Sequence, residues 1–155
     1  MSVSIYGSGQ TVLQVVSATN GTFTSTTSST YSDTGLTATI TPQSTTSKIL
    51  VIVDISGTYA TGAGNAILGL QLVRNGSSIL QIEGSAGYSA IGTAERDFGN
   101  SGCCNYLDSP LTTSPTTYKV QFKNVNAAGT AGLNNYNQAA TTSSSTITLL
   151  EISGS

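Results

Sequence analysis

The stretch ILGLQLVRNGSSILQIE, from Ile67 to Glu83, decides the fold. Its two arms are short, apolar and interrupted only by Asn75 and Gly76. Asn-Gly between strand-like runs is the strongest short hairpin signal, because a type I′ turn needs positive φ at both central residues. The arms therefore read as strands, Ile67 to Arg74 and Ser77 to Glu83. In the first arm Leu68, Leu70 and Leu72 share one face, and Ile67 and Val73 share the other.

Working outward, the same grammar of short β-branched runs and turns recurs. Val12 to Val16 reads as a first strand. Thr22 to Tyr31 is a Ser/Thr tract, extended and lying over a surface. Leu36 to Ile40 alternates apolar and polar and stops before Pro42. Lys48 to Ile55 is apolar on both parities, which predicts a central strand covered on both faces. Gly84 to Ser101 reads as irregular, and Asp108-Ser-Pro110 as a turn. Tyr118, Val120 and Phe122 alternate with Lys119, Gln121 and Lys123, an in/out strand. Asn124 to Gln138 reads as a loop, and Thr146 to Ile152 as the closing strand. No stretch carries capped helical periodicity. The expectation is an all-β, antiparallel β-sandwich, jelly-roll-like, with about eight strands.

The chain has 155 residues, which suits a single domain over 1–155, with residues 1–10 as an extended N-terminal arm. Only 8% of residues are charged, the net charge is -2, and histidine is absent. A soluble domain normally carries about 25% charged residues. So few ions leave the surface polar through hydroxyls and amides, and suggest a surface covered by copies of itself or by a partner. The five cations, Lys48, Arg74, Arg96, Lys119 and Lys123, are scattered, which argues against nucleic acid. No apolar run reaches the roughly 20 residues of a membrane helix, so no membrane partner is expected. No signal peptide is recognisable at Met1, and synthesis in a host cytoplasm is expected. The Asn-Gly pairs at Asn20 and Asn75 read as turns rather than glycosylation sites.

The composition leaves little for catalysis. Without histidine there is no Ser–His–Asp arrangement and no His-activated cysteine. Adjacent Cys103 and Cys104 cannot build a zinc site and, pointing to opposite faces of a strand, are expected as free thiols, one buried and one half-exposed. Glu95 and Asp97 could share a face as an acid–base or calcium pair, but read more simply as a solvated loop with Arg96. Asp54, which interrupts an apolar run, must face outward or hold a buried partner. No enzyme activity, metal or cofactor is expected. Tyr59, Tyr88, Tyr106 and Tyr136 fall in or near expected loops, and Asn134, Asn135 and Asn137 flank Tyr136. Ring stacking and amide hydrogen bonds would suit contact with a glycan or a protein partner, most of all at Tyr88, Tyr136, Asn134, Asn135 and Asn137.

Specific strings add to this reading. They are Val12 to Thr19, Tyr31 to Pro42, Thr46 to Val53, Leu72 to Gly76, Leu107 to Pro110 with Thr117 to Phe122, and Ser145 to Ile152. In this order the chain resembles a β-rich module of virion structural proteins of tailed bacteriophages, especially cyanophages, often found at the end of tail-fibre proteins. The resemblance implies a non-enzymatic virion part, a homotrimer. The module often follows a long shaft, whereas here it starts at Met1. That favours a capsid cement or decoration protein on the major capsid protein, located in the virion. The alternative is the tip of a tail fibre or head fibre that recognises a host surface glycan. The resemblance assigns no site residues.

Overall fold

Apolar residues at every second position can be buried only if the backbone is extended, and this sequence repeats that pattern along most of its length. The computed structural model describes residues 9–61, 66–82, 100–134 and 143–154. Among them are ten strands: β1 Val12–Asn20, β2 Thr24–Thr26, β3 Ser32–Ile40, β4 Lys48–Thr61, β5 Leu68–Arg74, β6 Ser77–Ile82, β7 Asn100–Asp108, β8 Thr116–Asn124, β9 Thr130–Leu133 and β10 Ser145–Ile152. All pairings are antiparallel.

The hairpin at Asn75 and Gly76 is the tip from which the fold is wound. Their φ values are +46° and +89°, as a type I′ turn requires. The tip is clipped to β8, since Asn75 N donates to Thr117 O and Thr117 N donates to Asn75 Oδ1. Outward from this β5/β6 hairpin the strands pair in nested fashion: β4 with β7, β3 with β8, β1 with β10. Rolled up, this long hairpin makes one sheet in the order β1-β10-β4-β7 and a second in the order β3-β8-β5-β6. That is the wrapping of a jelly roll, as the sequence predicts. The short β2 and β9 are additions: β4 bulges near Gly57 (φ +57°), leaves β7, and its far end at Tyr59–Thr61 pairs with β9, which pairs with β2.

The core lies between the sheets. Ile49, Val51, Val53 and Ile55 of β4 and Ile147 and Leu149 of β10 meet Leu68, Leu70, Leu72, Tyr118, Val120 and Phe122 of the other sheet, all buried. A polar lock ties the two sheets at one end. Asp108 of β7 is buried; Arg74 Nη1 of β5 donates to both its oxygens at 2.8 Å, and the Tyr118 hydroxyl of β8 donates at 2.6 Å. Burial, and then the bond to Asp108, push the Tyr118 phenol well up. The buried Asp108 carboxylate is thus satisfied by a partly exposed arginine and a buried phenol, the condition for keeping that charge out of water.

Four expectations are corrected by this arrangement. Lys48 to Ile55 is central in its sheet but covered on one face only: Leu50 is half-buried, and Ile52 and Asp54 are exposed. Asn100 and Ser101, expected as irregular, begin strand β7. Thr130 to Leu133, expected within a loop, forms β9. Tyr59 and Tyr106 stand in strands β4 and β7, Tyr59 buried and Tyr106 packed against the core.

Candidate functional site

Outward-facing residues in register form rows across a sheet, because directly paired residues share a face. Each outer face of this sandwich carries rows that span four strands, and one row on each face stands out, the two having opposite chemistry.

On the β3-β8-β5-β6 sheet the row is Asp33, Gln121, Gln71 and Gln81. The Tyr31 hydroxyl donates to Gln81 Oε1 at 2.7 Å, Gln81 Nε2 to Gln71 Oε1 at 3.0 Å, and Gln71 Nε2 to Gln121 Oε1 at 2.7 Å. Gln121 Nε2 then donates to Asp33 Oδ1 at 2.7 Å, and Lys119 Nζ to Asp33 Oδ2 at 2.8 Å. Every donor points toward the carboxylate, so each bond polarises the next. The bonds from Lys119 and then Gln121 hold the Asp33 carboxyl below its ordinary pKa. Lys123 Nζ lies 4.5 Å from the centre of the Tyr31 ring, a cation–π contact that fixes the end of the ladder.

On the β1-β10-β4-β7 sheet the corresponding row is Val15, Leu150, Leu50 and Leu107. Val15 is 57% exposed and Leu107 is 55% exposed, while Leu50 and Leu150 are half-buried. Val12 and Ile52 extend the apolar area, at 53% and 39%. A contiguous apolar area on a sheet face marks a contact surface. Two ions flank the row on β4: Lys48, whose Nζ donates to Ser109 Oγ at 2.6 Å, and exposed Asp54. Neither has an oppositely charged partner among the described residues. Beside Lys48, Leu111 is 73% exposed and held at φ +54°, a conformation costly for a residue with a Cβ.

Behind this face, on the core side of β10, Glu151 is fully buried. It accepts from Gln14 Nε2 at 2.6 Å and from the Gln43 N–H at 2.7 Å. Burial pushes its pKa up, but these bonds and one from the Ser44 N–H outweigh it and hold the carboxyl below its ordinary value.

Of the residues singled out for a glycan or partner, Tyr88, Tyr136, Asn135 and Asn137 lie outside the described residues, as do Glu95 and Asp97. Asn134 is a correction: it is fully buried at φ +65°. Its Nδ2 donates to Thr22 O, its Oδ1 accepts from Ser145 Oγ at 2.6 Å, and its N–H donates to Ser56 O. These bonds staple the connection between β1 and β2 to β4 and β10 and turn the buried amide away from any ligand. Cys103 is exposed and Cys104 half-buried, and both are free; burial pushes the Cys104 thiol up, away from reactivity. Among the described residues no group of three His, Cys, Asp or Glu side chains could hold a metal ion.

The apolar row was missed in the sequence because residues on both parities of Lys48 to Ile55 read as doubly buried. The available signal was Val12, Leu13 and Val15 in β1: an alternating strand with one buried face has no need of them.

No family model and no curated protein matches the sequence. Among solved structures the chain is similar to one described as "Structure of infectious bursal disease virus Gx strain", with 14% identity and a TM-score of 0.35. The match covers 98% of this chain and 43% of that one, so this chain spans less than half the length of its structural neighbour.

Proposed function

We propose that this protein is a non-enzymatic structural component of a tailed-phage particle, a capsid decoration protein that self-associates and binds the shell. The observation that carries this reading is the apolar row Val15–Leu150–Leu50–Leu107 across the outer face of one sheet. In a chain with 8% charged residues, that row is, among the described residues, a surface with much to gain from leaving water. Support also comes from the jelly roll, an architecture used by capsid and lectin domains. Binding of this kind is spread over neutral contacts, and many copies on one particle make each weak contact count.

The test is cosedimentation of the purified protein with undecorated phage heads and, separately, with detached tails. Binding to heads, lost in a Val15→Asp/Leu107→Asp variant that still folds, is the expected result. Binding to tails alone would replace this reading with that of a fibre tip. Turnover of a polysaccharide by the isolated chain would overturn it.

A further inference from the structure

We propose that the partner of the apolar face is a second copy of the same face, related by a two-fold axis that lies in the interface and crosses the strands at Val51. This deepens the self-association in the function proposed above and rests on it. The face is self-complementary. A two-fold axis of this kind reverses strand direction but keeps strand order, so β4 packs across β4 and β1 across β1. Row by row, the register then decides what meets what.

The row Val15, Leu150, Leu50, Leu107 is followed one step along the face by Ser17, Thr148, Ile52, Asn105. The axis at Val51 lays the first row of each copy over the second row of the other. Large apolar side chains meet smaller ones along β1 and β10, and Leu50 meets Ile52. The hydroxyls of the second row are already spent: Ser17 Oγ and Thr148 Oγ1 bond each other at 3.1 Å, and Ser17 Oγ reaches Ile147 O. Covering them leaves no orphaned polar group on β1 or β10.

The charges select this arrangement over others. Along β4 the outward residues are Lys48, Leu50, Ile52 and Asp54. The same axis that sets Leu50 on Ile52 sets Lys48 of each copy on Asp54 of the other. Two cross-interface ion pairs form, from charges that have no oppositely charged partner within the described part of one copy. An axis parallel to the strands would instead set Lys48 on Lys48 and Asp54 on Asp54. A face of four strands, about 20 Å across and about 20 Å from Lys48 to Asp54, covers roughly 400 Å² on each copy. That is the size of a weak contact, populated where copies are crowded, as on a shell. The pair is two-fold, in contrast to the three-fold association that the module resemblance implies.

The experiment is sedimentation equilibrium on the wild type, K48E, D54K, the double swap K48E/D54K, and K48M. The wild type is expected to show a concentration-dependent mass reaching two chains. Either single reversal should weaken association about tenfold, and the double swap should restore it to within about threefold. K48M, which loses the Ser109 bond without adding a like charge, should weaken association less than K48E. Circular dichroism melts establish that each variant is folded. Association that ignores all the swaps, a double swap as weak as the singles, or a three-chain mass would overturn the two-fold docking while leaving the proposed function intact. A chain that stays monomeric yet binds heads has the same meaning. A chain that neither associates nor binds heads sinks both.

Discussion

The two outer faces of this sandwich are built on the same geometry and differ in what they leave unfinished. Each has a row of four residues in register across four antiparallel strands. In the row of Asp33, Gln121, Gln71 and Gln81, each amide donates to its neighbour and the chain of bonds ends on a carboxylate already paired with Lys119. That face is complete in itself and lies comfortably in water. In the row of Val15, Leu150, Leu50 and Leu107 nothing is satisfied by the neighbour beyond van der Waals contact, and its two end residues are more than half exposed. The comparison separates two uses of a sheet surface. One row stabilises the sheet it crosses; the other presents surface that only a partner can cover.

The difference can be broken from either side. The largest effect is expected from Val15→Asp/Leu107→Asp, which places charges in the apolar row. Self-association should weaken about a hundredfold, because burying unpaired carboxylates opposes docking. Stability should shift by less than about 1 kcal/mol, since both positions face solvent in the single chain. Light scattering and a urea titration measure the two quantities. The opposite profile is expected of Gln71→Ala. It removes two ladder bonds, from Gln81 Nε2 and to Gln121 Oε1, whose freed atoms water can reach, and should cost about 1.5 kcal/mol in urea unfolding with association unchanged. A smaller effect is expected at the Lys48 end of the apolar face. Leu111→Gly relieves a positive φ and should raise stability by about 1 kcal/mol in thermal melts.

The smallest effect is acidic. Asp33 and Glu151 both have folded pKa values below their ordinary 3.8 and 4.5. The unfolded chain therefore binds protons first as pH falls, and the stability these groups contribute is complete at neutral pH. It is lost as pH drops through the lowered folded values. Melting midpoints recorded from pH 7 down to about pH 2 should decline only in that acid range. Asp33→Asn should flatten part of the decline, and the effect is modest because Asp33 stands half in solvent.

What could be read from the chain follows from which forces are local. The tip at Asn75-Gly76 was legible because positive φ at both positions is a demand few residues meet. Alternation in Tyr118 to Lys123 was legible because one face of that strand is buried and the other is wet. Strand β7, Asn100–Asp108, was not legible, since Gly102, Cys103, Cys104 and Asn105 carry little strand preference of their own. Its extended form comes from pairing with β4, a long-range cause. Strand β9 was hidden for a similar reason. Gly132 belongs there because a Cβ would run into the Tyr59 ring and the Thr24 carbonyl, which a loop reading cannot anticipate. Asn134 reads as a contact residue because an Asn beside a loop looks the same in sequence whether its amide meets water or, buried, ties a connection to a strand. The apolar face was in plain view, but apolar residues on both sides of a strand do not say whether the second cover comes from the same chain or from another.

Hydroxyl-radical footprinting at low and high protein concentration reads both faces in one sample and shows which of them a second copy covers. Val15, Leu50 and Leu107 are expected to lose reactivity as concentration rises, while Tyr31 on the ladder face keeps its own. Equal protection of both faces, or protection of Tyr31 with Leu107 still reactive, would contradict that expectation.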